Sequence, residues 1–163
     1  MKRFMILPVL LVSILVVTPT MARAQDDPVA ILKKHDAAIA RGDVDAAIAL
    51  YADDAIQEGG GGCFRRPCVG KAAIRKFWER RVKGKPRLTI IAEYPSGNVS
   101  TRRIEIRDER TSKAGVDRFV AWQITGIKGG KISFLRLSPE RSDPQTARFL
   151  KFEREQRKKM RTR

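Results

Sequence analysis

The sequence predicts an α+β domain, and three observations carry that prediction. From Val29 to Val82 apolar residues recur at steps of three and four, the spacing of helices, with interruptions at Gly42 and the glycine run 59–62. From Leu88 to Leu137 the period falls to two, in runs separated by Pro95-Ser96-Gly97-Asn98 and Gly129-Gly130, as expected of antiparallel strands. A chain of 163 residues has room for one core, in which the helices bury their apolar stripes against the sheet.

Taken in order, the chain opens on a targeting segment. Lys2-Arg3, the apolar run from Phe4 to Val17 and the small-x-small sequence Ala22-Arg23-Ala24 predict a signal peptide over 1–24, cleaved after Ala24, and a secreted or periplasmic product. The run is short of the ~20 residues of a spanning helix, so no transmembrane segment is expected after cleavage. Loss of Lys2, Arg3 and Arg23 takes the formal charge from +16 to +13. A domain so basic attracts anionic surfaces, whatever its fold.

Ile31, Leu32, His35, Ala38 and Ile39 form one face of a first helix beginning at Val29, and the chain's one histidine lies on it. Gly42 ends that helix in a left-handed conformation and Asp43 caps a second, expected to run to Ala55 with Val44, Ala47, Ile48 and Tyr51 inward. Ile56 to Glu58 is a brief strand. Cys63 and Cys68 bracket Phe64-Arg65-Arg66-Pro67, and an exported chain meets oxidising conditions, so a disulfide is expected. The rival reading, a redox or metal pair, lacks the usual spacing and a second ligand pair.

A third helix spans Gly70 to Val82, with Ile74, Phe77, Trp78 and Val82 inward. Leu88, Ile90, Ala92 and Tyr94 alternate in the next strand. Val99 to about Asp108 follows, with a bulge expected because Val99 lacks the parity of Ile104 and Ile106. After a turn at Thr111 to Gly115, Val116 to Ile127 is a long strand with Val116, Val120, Trp122 and Ile124 on one face. Lys131 to Leu137 is the last strand. Asp143 and Pro144 then start a helix that Phe149, Leu150 and Phe152 dock. Its end is basic: eight cations stand against Glu153 and Glu155 from Arg148 to Arg163.

The segments GDVDAAIALYADDA (42–55), GKAAIRKFW (70–78) and GGKISFLRL (129–137), in this order and spacing, resemble the SnoaL-like, nuclear-transport-factor-2-like superfamily, which includes ketosteroid isomerases and scytalone dehydratases. The resemblance covers residues 28–138 and leaves 139–163 as a basic C-terminal extension. It implies a curved antiparallel sheet wrapped around three helices, a cone whose open end holds a pocket. The steroid isomerases' oxyanion tyrosine falls at His35, their general-base aspartate at Gly59 and their second oxyanion donor at Trp122. The steroid-isomerase catalytic residues are therefore expected to be absent, and a homodimer paired through the outer sheet face is compatible with the family.

Expected pocket residues are His35, Tyr51, Trp78, Val120 and Trp122, with His35 as the polar handle and Glu58 as its partner if the pocket is catalytic. A lone histidine does not make a zinc site, and no nucleophile elbow or phosphate-binding glycine loop occurs, so no metal and no cofactor are expected. Three functions follow: a pocket for a small, largely apolar molecule; an isomerase or dehydratase using His35; and a basic module for anionic envelope components. The tail lacks the aromatic interleaving of a nucleic-acid reader, so no specific nucleic acid is expected.

Overall fold

Asp27 accepts from the Val29 N–H at 2.9 Å and so caps α1 (Pro28–Arg41), with proline in the first turn where its missing N–H costs nothing. This contact opens the computed structural model, which describes residues 27–161; the expected signal peptide lies outside the described residues. Gly42 ends α1 at φ 75°, and Asp43 caps α2 (Val44–Ala49) by accepting from the Ala46 N–H at 2.9 Å. The second helix is thus shorter than expected. Tyr51 leaves it for β1 (Tyr51–Glu58), which pairs in parallel with β6 (Lys131–Pro139) through Ile56 to Phe134 and Gln57 to Leu135. Pairing with a strand far along the chain overrides the helical pattern of the Ala52 to Ala55 segment.

The glycine run passes through a 3-10 turn (Gly61–Cys63) to β2 (Cys68–Val69), and Cys63 and Cys68 are joined by a disulfide with Cα atoms 5.2 Å apart. α3 occupies Gly70–Val82 as predicted, burying Ile74 and Phe77 fully and Trp78 and Val82 in part. β3 (Arg87–Ser96), β4 (Val99–Arg107), β5 (Phe119–Lys128) and β6 form an antiparallel meander. The segment expected as a turn after β4 is a short helix, α4 (Glu109–Lys113), started by a capping box between Asp108 and Thr111. The six strands form one mixed sheet in the order β2-β1-β6-β5-β4-β3.

The bulge expected in β4 is absent, and the register shift in this part of the sheet lies on β3. β4 runs regularly, with Ser100, Arg102, Ile104 and Ile106 all buried, while β3 shifts register between Ile90 and Ala92. The parity conflict at Val99 has a simple cause: Val99 faces outward, and a buried serine and arginine continue the inner row. The shift in β3 puts Leu88 and Ile90 opposite inward residues of β4, and Ala92 and Tyr94 opposite outward ones.

The inner face of the sheet packs against α1 and α3. Leu32, Ile48, Tyr51 and Ile74 meet Ile127, Ile132 and Leu135 in one cluster. A second joins Ile104, Ile106, Phe119 and Ala121 to Phe149 of α5 (Pro144–Arg161), where the Phe119 and Phe149 rings stack at 4.8 Å. β5 begins later than expected, at Phe119, with Val116 packed in the preceding loop. Among the described residues no helix is long and apolar enough to cross a membrane.

Candidate functional site

Between α1, α3 and the inner sheet face lies a cavity of about 100 Å³. Ile39, Phe77, Trp78, Leu88, Ile104, Ile106, Leu135 and Leu137 supply its apolar wall, and His35, Asp36, Gln57, Gln123 and Arg81 its polar groups. Ligand pockets usually hold ~300–1,000 Å³, so this conformation admits a small molecule or one end of a larger one.

The polar groups belong to a continuous buried chain. Tyr51, fully buried, donates its hydroxyl proton to Gln57 Oε1 at 3.1 Å and accepts from the Trp78 indole N–H at 3.1 Å. Its remaining lone pair faces His35 Nε2 at 3.1 Å, which assigns a proton to that nitrogen. The other ring nitrogen, Nδ1, is 3.3 Å from Asp36 Oδ1. A doubly protonated ring makes both contacts, and a neutral ring gives one up. Asp36 is gripped by Arg102, whose Nη1 donates to Oδ2 at 2.6 Å and whose Nη2 donates to Oδ1 at 3.3 Å. Arg102 also reaches Gln123 Oε1 at 3.1 Å, and Gln123 passes the chain to Thr125 at 3.0 Å.

Electrostatics follow from that arrangement. Burial alone would raise the Asp36 carboxyl, but hydrogen bonds from His35 and Arg102, with the charges of both, outweigh it and hold the group below its ordinary value. Asp36 is therefore an ionised carboxylate on an apolar cavity wall. Burial raises the Tyr51 hydroxyl well above its usual range, so it stays protonated. At the opposite end of the polar set, burial lowers the Arg81 guanidinium to about 10, assisted by Arg110 and opposed by Asp108, and it remains charged at neutral pH. Arg102 is 1 % exposed, and its Nε has no hydrogen-bond partner, the single buried side-chain atom so left among the described residues.

His35 and Trp78 line the cavity, and Tyr51 stands behind them as the hub of the chain. The remaining expected site residues lie elsewhere. Glu58 sits on the outer face, bound to Arg136 at 2.6 Å, because it has the opposite parity to Gln57. Val120, Trp122 and Ile124 do share a face, but it is the outer one: Val120 is buried there and gives its backbone N–H to Thr146 Oγ1 at 2.8 Å, and Trp122 packs beside Tyr94. The inward residue at that point of β5 is Gln123. Gly59 does line the cavity, at φ 75°, and a Cβ there would lie 1.9 Å from the Leu137 carbonyl oxygen, so no side chain fits at that position.

Sequence reading missed Asp36, Arg102, Gln57 and Gln123. The signal for Arg102 was the unbroken alternation Ser100, Arg102, Ile104, Ile106, which makes the arginine an inward residue without any bulge. Asp36 adjoins the one histidine but lies off the apolar stripe, and only its remote partner shows what it does.

Three helices against the inner face of a curved sheet, enclosing an apolar cavity with convergent polar groups, define the class of nuclear-transport-factor-2-like α+β domains. Within it, residues 32–135 match the SnoaL-like domain, and the chain belongs to that family. No curated protein matches it in sequence. Among solved structures it is similar to an epoxide hydrolase/cyclase-like enzyme, SalBIII, of pyran ring formation in salinomycin, at TM-score 0.60 and 18 % identity, covering 71 % of this chain and 92 % of that one. A proposed polyketide cyclase from Sinorhizobium meliloti matches at TM-score 0.58 and 20 % identity, over 67 % and 94 % of the two chains. A nuclear-transport-factor-2-like protein of unknown function from Cytophaga hutchinsonii matches at 0.57 and 13 %, over 74 % and 96 %. At these identities the likeness is one of fold.

Proposed function

We propose that this protein binds a small, largely apolar molecule in the cavity beneath α1, oriented by the polar wall that His35, Asp36, Gln57 and Gln123 form. The carrying observation is that both ring nitrogens of His35 face partners within the protein, Tyr51 and Asp36. A histidine so engaged orients and polarises its surroundings without being free to shuttle protons. Native mass spectrometry of the protein purified from its own cell tests this, beside an Ala40→Phe variant; Ala40 is an exposed residue at the cavity mouth. A stoichiometric adduct in the parent that is lost in the variant supports binding. A clean mass, with no saturable binding across a panel of apolar ligands, overturns it.

One observation favours a second reading, an isomerase, dehydratase or hydrolase acting by general acid–base chemistry. Asp36 is an ionised carboxylate on the cavity wall with His35 beside it, the arrangement of an acid–base pair, although the grip of Arg102 that lowers its pKa makes it a weak base. Glu58, pointing away from the cavity, has no part in this version. Turnover that Asp36→Asn abolishes while ligand retention survives would select it.

Export and assembly belong to the same proposal. A mature N-terminus at Gln25 on protein recovered from the envelope checks the signal peptide. The outer sheet face, where Tyr94 and Ile124 are exposed, is the surface on which a homodimer would form, and the basic end of α5 the one that would meet an anionic envelope; sedimentation and vesicle binding test these.

A further inference from the structure

A second concavity, an open groove of about 840 Å³, lies where the loop after α3 meets the end of β4 and α4. Lys83, Lys85, Arg87 and Arg107 line it, all exposed. Its carboxylates are engaged: buried Asp108 holds Arg81 and Arg110, Glu109 pairs with Lys113 at 2.7 Å, and Asp117 faces the Gln145 amide at 3.4 Å. Among the described residues Arg107 pairs with Glu105 alone, at 3.2 Å, a carboxylate that Arg118 shares at 3.4 Å. Among the described residues Lys83, Lys85 and Arg87 form no ion pair.

Two features of the groove are unfavourable for folding alone. Arg87 and Arg107 stand directly opposite each other across β3 and β4, where like charges repel. Lys85 adopts φ 49°, the single left-handed non-glycine residue among those described, although the neighbouring Gly84 keeps an ordinary backbone. Strain of this kind persists where the surroundings over-determine it and concentrates at ligand sites. Among the described residues Glu105 offsets part of the Arg107 charge and is itself shared with Arg118, and Arg87, Lys83 and Lys85 have no carboxylate partner.

We infer that this groove binds an anion carrying two linked phosphate groups. Arg87 and Arg107 present two planar guanidinium forks to one phosphate, and Lys83 and Lys85 supply ammonium charge to the other. The site is separate from the apolar cavity and from the basic end of α5.

Calorimetric titration of the full chain with pyrophosphate at low salt tests the site. Three proteins are compared: the parent, a Lys83→Ser/Lys85→Ser/Arg87→Ser variant, and a charge-matched Lys33→Ser/Lys34→Ser/Lys128→Ser control whose changes are exposed and outside the groove. We expect saturable one-site binding that weakens by about tenfold or more in the groove variant and by less than about twofold in the control. Phosphatidylcholine vesicles carrying a prenyl diphosphate lipid, tested with the same proteins, separate the sources: groove-dependent binding to these vesicles assigns a diphosphate lipid headgroup, and groove-dependent binding to pyrophosphate alone assigns a soluble ligand. Equal weakening in both variants, or no saturable binding to either probe, overturns the inference.

Discussion

One hydroxyl joins side chains from three elements. Tyr51 Oη meets Gln57 within β1, Trp78 of α3 and His35 of α1, each at 3.1 Å. Tyr51→Phe keeps the ring but strips a partner from all three, and a buried group left unpaired costs more than the bond was worth. We expect a loss of about 2 kcal/mol in urea unfolding, with the cavity retained. Gly59 makes the opposite kind of prediction, since what matters there is the absence of atoms. Gly59→Ala must displace the Leu137 carbonyl, whereas Gly42→Ala, at the same φ, meets nothing within 4 Å. The first should lose about 3 kcal/mol or more and the second about 1; similar losses would mean that the left-handed backbone alone sets the cost. At this scale His35 was legible, because a lone polar residue on an apolar stripe stands out. Asp36 and Arg102 were not. Each is an ordinary charged residue until the other is placed against it, and 66 positions separate them.

Elements were legible where their determinants are local. α1 and α3 begin and end close to the expected residues because caps, proline and glycine mark them within a few positions. α2 and β1 were misread at Ala49 for the converse reason: Tyr51 to Ala55 carries a helical pattern, and the force that makes it a strand comes from β6. The bulge expected in β4 was a misreading, since Ser100 and Arg102 continue its inner row, and the register shift of β3 was not seen, because Leu88, Ile90, Ala92 and Tyr94 alternate without a break in sequence. The C-terminal extension is likewise tied into the domain. Phe149, 3 % exposed, stacks on Phe119, and Arg110 lies 5.3 Å from its ring centre. Phe149→Ala should cost about 3 kcal/mol through the void it leaves, with one cooperative transition. A separate early transition for α5, followed by far-ultraviolet circular dichroism, would show that the helix melts as its own unit.

For the whole molecule, acid is the informative variable. The Asp36 carboxyl has a lower pKa folded than its ordinary value of 3.8, so its contribution to stability is fully present above about pH 4 and is lost as pH falls through the folded value. Asp143, held low against the effect of its burial by hydrogen bonds from Thr146 and by Arg118, acts in the same direction. Asp36→Asn should destabilise by about 3 kcal/mol at neutral pH, because Arg102 is left buried without its anion. It should also show a shallower fall in urea midpoint between about pH 4 and 2 than the parent. Parallel curves would mean that Asp36 is not a source of the acid sensitivity. The basic balance of the chain was plain from composition, but where the cations gather was not: Arg102 went inside, and Arg87 and Arg107 came together across two strands.

The parallel pair of β1 with β6 also orders events in time. Tyr51 lies against Ile132 and Gln57 against Leu135, so one wall of the cavity joins residues about eighty positions apart. A growing chain has made all of α1, α2, β1 and α3 before it owns the strand that covers them. Until residue 135 has been made, Leu32, Ile74 and Tyr51 lack part of their packing, and no truncated intermediate can enclose the site. Pairings this remote fold late and slowly, so the interval between synthesis and closure is a property written into the topology itself.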